Sequence, residues 1–198
     1  MVGRHSKKAR GQSRRYARKP SVWSEIRGYL LTVIAVMLVV LLGRTFVFNV
    51  YVIPSRSMED TLQIGDRVFA SRLTPRLFAL HRGDIIVFKD PADWMEGEQL
   101  PTNLMSIIDS NRYLIKRVIG LPGDVVEIRS NQVYVNGEPL DEPYLTPSRN
   151  DDGFSMAPFA LGEDEYFVMG DNRDNSHDSR NYYGAGRPAA ISRKDIVG

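Results

Sequence analysis

The sequence predicts a mainly β protein: an N-terminal single transmembrane helix followed by a body of coiled antiparallel β-sheets. Three observations carry this. Gly28–Gly43 is an uncharged run of sixteen residues in which Thr32 is the one residue that interrupts the apolar character. From Phe46 onward the apolar patterns are short, β-branched or aromatic, and bounded by Gly, Pro, Asn and Asp, as strands are. No stretch outside the apolar run sustains a helical period.

The first element is a tail, residues 1–27, with nine Lys and Arg against one acid, Glu25; the rest of the chain holds 17 bases and 23 acids. Charge this localised calls for a local partner. Basic flanks stay on the cytoplasmic side of a membrane and anionic lipid complements them. The tail is therefore expected to be cytoplasmic, with residues 1–20 disordered. A nucleic-acid arm is the rival reading, but the tail abuts an apolar run, so no nucleic-acid partner is expected.

The membrane segment is placed at residues 28–44. Sixteen helical residues reach about 24 Å, against a hydrocarbon core of about 30 Å. Snorkelling of Arg27 and Arg44 and the apolar continuation Thr45–Val52 close the gap. A buried core helix would show a polar face, and a cleavable signal peptide would precede a small-x-small site. Neither fits. The expected localisation is the cell membrane, single-pass, with residues 45–198 extracytoplasmic.

In the body, strands are read at 67–73, 83–90, 112–120, 124–130, 132–137 and 165–171. Asn136–Gly137 is a hairpin turn, because both residues tolerate positive φ. Leu121-Pro122-Gly123-Asp124 is another turn. Two stretches depart from the pattern: Pro91–Asn111, and Asp141–Glu163 with SRNDDG at its centre. Residues 124–169 are expected to contain a small β excursion. The chain has no cysteine, which excludes disulfides, thiolate zinc sites and thiol nucleophiles. His5, His81 and His177 are far apart, so neither a metal site nor a cofactor is expected.

Five segments carry a resemblance: PSRSMEDTL (54–62), IGDRVF (64–69), RGDIIVFKDP (82–91), YLIKRVIGLPGD (113–124) and GDNRDNSHDSR (170–180). In this order they resemble the sequence boxes of the bacterial type I signal peptidases, the Ser/Lys-dyad leader peptidase family, over roughly residues 46–198. The resemblance implies the signal peptidase/LexA-like β fold, shared with self-cleaving repressor proteases. It implies a membrane-bound serine endopeptidase, monomeric, that removes N-terminal signal peptides from exported preproteins by cleaving after A-x-A-like sites. Its partners would be those signal peptides and the lipid bilayer. In this reading Ser57 is the nucleophile and Lys116 the general base. The Ser55 hydroxyl and the Ser57 N–H form the oxyanion hole, and Ser176 orients the lysine amine. Asp178 with Arg180 braces that loop, and Asp171 with Arg117 forms a second brace. Ile53, Pro54, Met58, Leu62, Leu114 and Ile115 match a shallow apolar substrate pocket. The family often has tyrosine where Leu114 stands; here the tyrosine is Tyr113.

These assignments meet physical requirements. A serine hydroxyl is a weak nucleophile and needs a base beside it. A lysine serves as that base only in dry surroundings, where burial disfavours its charge. On a strand, Leu114, Lys116 and Val118 share one face, which would supply such surroundings. Taken alone, the segment favours an exposed lysine on an edge strand. Ser176-His177-Asp178 is not a triad, because adjacent residues on an extended chain cannot converge. Ser57 lies thirteen residues past Arg44, so it sits within roughly 45 Å of it even fully extended.

The chain also departs from the family pattern. Residues 124–169 leave room only for a small β unit, as in compact members. Asp93–Asn111 is longer than in minimal members and holds Trp94, Met95, Leu104, Met105, Ile107 and Ile108. It is either an interfacial membrane loop or a loop packed on the body. Members usually continue past ISRKDIVG with a further strand, which implies a shortened C-terminus here. Two rivals remain. One is a catalytically inactive membrane-tethered peptide-binding module, disfavoured because Ser57, Lys116, Ser55 and Ser176 are all present. The other is a self-cleaving repressor, which needs a DNA-binding domain, and the N-terminal region has no helix-turn-helix pattern.

Overall fold

The structure is a computed structural model that describes residues 22–91, 94, 113–145, 153–186 and 188–198. The chain divides into two units, Met1–Leu41 and Leu42–Gly198. Helix α1, Val22–Phe46, takes in the whole apolar run. Its apolar side chains are exposed on every side, among them Trp23, Leu30, Val36, Val40 and Leu41. A helix that is apolar all round suits an apolar surrounding. The Thr32 hydroxyl donates to the Gly28 carbonyl at 3.0 Å, within the helix. Among the described residues no helix is long and apolar enough to cross a membrane. The expected segment 28–44 is thus helical, and its uncharged run is as short as its sixteen residues predict. Residues 1–20, expected to be disordered, lie outside the described residues.

Thr45–Val52 does not lengthen the helix as expected. Helix α1 stops at Phe46, and Phe48–Val52 forms strand β1. Phe48, Val50 and Val52 alternate with Asn49 and Tyr51, a period of two that an apolar count conceals. Strand β1 pairs antiparallel with β2, Arg67–Ser71, with Val50 opposite Phe69. Residues directly opposite share a face. Phe48, Val50, Val52 and Phe69 are therefore on one face, and all four are exposed.

After the single-turn helix α2, Thr74–Leu77, come β3 (Ile85–Lys89), β4 (Tyr113–Gly120), β5 (Val125–Arg129), β6 (Gln132–Val135), β7 (Glu138–Pro139), β8 (Met156–Ala160) and β9 (Glu165–Met169). Two 3-10 turns, Arg173–Asn175 and Arg193–Asp195, flank the short helix α3 (Ser179–Tyr182) and β10 (Ile191–Ser192). The six expected strands are all present, trimmed at their ends. Asn136 and Gly137 have φ of 54° and 86°, so the expected hairpin turn is there. Strand β8 lies in the second of the two departing stretches, within the region expected to hold a small β excursion. Its sequence MAPFA is poor in β-branched residues and holds a proline, yet it pairs with β5.

Besides the β1–β2 ribbon there are two four-stranded antiparallel sheets, ordered β10-β9-β4-β3 and β7-β6-β5-β8. The central pair of the first sheet, β4 and β9, is buried on both faces. Ile119, Phe167 and Met169 join a cluster with Val126, Ile128 and Val133 from the second sheet. Val118, Tyr166 and Val168 join another with Ile86, Phe88 and Ile191. The edge-strand alternative for Lys116 therefore falls: β4 lies between β3 and β9.

Trp94 resolves its part of the loop question. It is 2% exposed, stacks on Tyr182 at 4.7 Å, and donates through Nε1 to the Pro188 carbonyl. It packs on the body, not in an interface. Met95, Leu104, Met105, Ile107 and Ile108 lie outside the described residues.

Candidate active site

Strand β1 runs into a tight loop that carries Ser57. Ile53 and Met58, 3% and 1% exposed, pin the loop on either side of it. The Ile53 N–H donates to the Asp66 carbonyl and the Leu62 N–H to the Met58 carbonyl. Lys116 enters from β4, where its cross-strand partner is the buried Ile86. The Nζ of Lys116 lies 2.6 Å from Ser57 Oγ, in hydrogen-bond contact. The amine side chain is 2% exposed and Ser57 is 8% exposed. The Ser55 hydroxyl, on the solvent side, stands 3.3 Å from Ser57 Oγ. A serine, a buried amine within reach and a second hydroxyl beside them can perform acyl transfer.

The loop after β9 closes the site from the other side. The Asn172 N–H donates to the Ser57 carbonyl at 3.1 Å, and Asn172 Nδ2 donates to the Arg56 carbonyl. Gly170 fits between: a Cβ there would lie 2.2 Å from Ser176 Oγ and 2.3 Å from the Ser57 carbonyl oxygen. Ser176 is thus at the site, but its expected bond to the lysine amine is not made. Its hydroxyl lies near the Asp178 carboxylate. Among the described residues no group meets hydrogen-bond geometry with this oxygen. His177 is exposed and takes no part.

Both expected braces are present. Arg180 donates to Asp178 through Nε and Nη2, each at 2.9 Å. Asp178 also accepts the Gly170 N–H at 3.0 Å and caps α3 in a reciprocal capping box with Asn181. Arg117 grips Asp171 with two bonds, of 2.8 and 2.6 Å, and donates to the Gly83 carbonyl at 2.7 Å. The hydrogen bond to Asp171 raises the Arg117 pKa, outweighing burial. Ser179, fully buried, receives the Val168 N–H on its hydroxyl. Among the described residues, every buried polar or charged residue except Ser179 is one that the sequence had singled out.

The Asp178 carboxyl is held below the usual carboxylate range. Complete burial pushes it up, but the charge and hydrogen bonds of Arg180 and the Gly170 N–H outweigh that. A depressed folded-state pKa adds stability above the unfolded value of about 3.9, and that stability is lost as pH falls through the lower folded value. Asp178→Asn is expected to destabilise the protein at pH 7 by on the order of 3 kcal/mol, since it leaves the Arg180 charge unpaired. Its melting temperature should also decline less than the parent's below about pH 4. Parallel decline of the two in thermal melts at pH 2–5 would refute the assignment.

The six residues matched to a substrate pocket separate. Leu62 and Ile115 line a largely apolar cavity of about 360 Å³, together with Val68, Ile86 and Val87. Ile53 and Met58 are buried beneath the Ser57 loop and Pro54 is exposed. Leu114 packs against the Phe88–Val118 cluster, so it does not line the cavity. Sequence reasoning missed Thr61, which donates to Asp171. It also missed Glu142, Tyr144 and Arg173, which are joined by hydrogen bonds. No local pattern announces partners about thirty residues apart.

A family model described as "Signal peptidase, peptidase S26" matches residues 26–198. Signal peptidase I of Bacillus amyloliquefaciens is 37% identical over 84% of this chain and 80% of its own length. Signal peptidase I S of Bacillus subtilis is 37% identical over 84% and 81%. A probable signal peptidase I-2 of Synechocystis is 37% identical over 83% and 67%. The crystal structure of an Enterococcus faecalis signal peptidase I is similar with a TM-score of 0.43 and 29% identity, over 61% of this chain and 95% of that one.

Proposed function

The chain belongs to the signal peptidase family, peptidase S26, and from that premise we propose that it is a membrane-bound serine endopeptidase that removes signal peptides from exported preproteins, with Ser57 as nucleophile and Lys116 as general base. The observation that carries this is the 2.6 Å contact between Ser57 Oγ and a lysine amine that is almost wholly buried.

Burial disfavours an ammonium, so the amine is available to take a proton. Ser57 Oγ gives its proton to Lys116 Nζ and attacks the scissile carbonyl carbon. The oxyanion that forms is met by the Ser55 hydroxyl and the Ser57 N–H. Lys116 then returns the proton to the leaving amine, and the acyl-enzyme remains. A water, deprotonated by the same amine, hydrolyses it. Ser176 adds a hydroxyl beside the loop. Asp178–Arg180 and Asp171–Arg117 hold the surrounding backbone. The apolar cavity at Leu62 and Ile115 suits the small apolar residues of an A-x-A-like site, and Ile53, Pro54, Met58 and Leu114 are not part of its lining.

Helix α1, apolar all round, supports a single-pass anchor at 28–44. The nine Lys and Arg of residues 1–27 favour an N-terminus in the cytoplasm. The exposed face Phe48, Val50, Val52 and Phe69 begins two residues after that helix, where an apolar sheet face would meet lipid. The enzyme acts as a monomer.

The test uses the full chain in detergent micelles and a preprotein with an A-x-A site. The parent should release the mature protein by a single cut after that site. Ser57→Ala should lower the rate at least about 10³-fold. A parent that binds the preprotein without cutting it would mark an inactive peptide-binding module. Release of the chain from vesicles by alkaline carbonate would contradict the anchor.

A further inference from the structure

We propose that Glu142 and Tyr144, in the stretch between β7 and β8, are positioning residues for the Ser57–Lys116 pair; this rests on the peptidase reading above. Two arginines connect them to the site. Arg117, the chain neighbour of Lys116 on β4, lies with its guanidinium 3.9 Å from the centre of the Tyr144 ring, within cation–π range. The Tyr144 hydroxyl donates to Glu142 Oε1 at 2.7 Å. Glu142 in turn accepts both terminal nitrogens of Arg173, and Arg173 Nε donates to the Gly170 carbonyl at 3.1 Å. Gly170 abuts the Ser57 carbonyl and Ser176. Asp171, next in the chain, completes the circuit back to Arg117.

The circuit is closed and largely dry. Side-chain exposure is 6% for Glu142, 13% for Arg173, 11% for Arg117 and 1% for Asp171. Two positive and two negative groups balance, so each guanidinium has its carboxylate. Burial of Tyr144, with the nearby Glu142 charge, pushes its phenol pKa up, so the hydroxyl stays a donor. Both ends of the circuit touch the reacting pair: one at the residue next to Lys116, the other at the glycine packed against the Ser57 carbonyl. Glu142→Gln would leave Arg173 without a counter-charge and loosen its hold on Gly170. Tyr144→Phe would remove one bond and keep the ring under Arg117. Displacement of either end by a fraction of an ångström changes the distance that proton transfer depends on.

The test compares the full-chain parent, Glu142→Gln, Tyr144→Phe, Glu142→Asp and Ser57→Ala on one A-x-A peptide. Rates are normalised to the folded fraction, read by near-UV circular dichroism at the assay temperature. Glu142→Gln should lower kcat about 10- to 100-fold with KM within about twofold, the pattern of an interaction that matters in the transition state. Tyr144→Phe should lower kcat about threefold to tenfold. Glu142→Asp, which keeps the charge, should recover part of the loss. Should Glu142→Gln not fold, the other two variants decide by the same criterion. A normalised kcat equal to the parent's in the folded variants overturns the proposal, as does a loss carried entirely by KM. A parent no faster than Ser57→Ala would instead overturn the peptidase reading, so the two failures are distinct.

Discussion

Lys116→Ala should lower kcat for preprotein cleavage by about 10³-fold at pH 7, with KM little changed. A positioned general base is worth roughly 10²–10⁴-fold, and this amine contacts the attacking oxygen at 2.6 Å. Nothing else on the β3–β4 pair takes its place, because the cross-strand partner is Ile86. Lys116→Arg should fare no better. A guanidinium stays charged at any working pH, and its larger fork has to enter a site with 2% exposure. Loss of the lysine leaves an apolar strand face that still packs, so the variant should remain folded at the assay temperature. Cleavage by Lys116→Ala at more than a tenth of the parent rate, measured on folded protein, would end the Ser–Lys mechanism.

Gly170→Ala should cost about 100-fold or more in kcat and about 1–3 kcal/mol in stability. The new methyl would lie 2.2 Å from Ser176 Oγ and 2.3 Å from the Ser57 carbonyl oxygen, far inside van der Waals contact. Neither neighbour gives way cheaply. The carbonyl is backbone and is already held by the Asn172 N–H, while Ser176 is buried against the same loop. Overpacking of this kind forces backbone shifts, and here the backbone that shifts carries the nucleophile. Gly162→Ala is the control. The nearest atoms to its Cβ among the described residues belong to the flexible Glu165 side chain, at 3.3 Å or more, so kcat should be unchanged. Equal kinetics and equal melting for the two variants would show that the close approach at Gly170 is not required.

Much of this site was legible in the sequence, for an identifiable reason. Ser57, Lys116, Asp171 and Asp178 stand in segments that resemble the ordered boxes of one family, and strand alternation already placed Lys116 among Leu114 and Val118. Arg117 and Asp171, fifty-four residues apart, were paired through the resemblance alone, while Arg180 lies two residues from Asp178, so that pairing was open to a local reading. The Glu142–Arg173 pair was not, because a carboxylate and a guanidinium thirty-one residues apart carry no mark of each other until the chain is folded. The strand at Phe48–Val52 was concealed by its neighbour, since an apolar helix running into an apolar strand keeps the composition constant while the period changes. Leu114 shows the limit of carrying roles across by position: it follows the pocket pattern in sequence, yet its half-buried side chain packs against the cluster that holds Phe88.

The contact between Ser57 and Lys116 joins residues fifty-nine apart, and the loop that locks it arrives from beyond β9. The two reacting groups have no local means of meeting. The serine loop is complete early in synthesis, while its base waits for the β3–β4 pairing and its lock for residues 170–180. On the proposed Ser57–Lys116 mechanism, the chain would therefore be inert until β3 and β4 pair and residues 170–180 are in place. Latency during biosynthesis would then follow from topology, with strand order in the role that a removable inhibitory segment would otherwise fill.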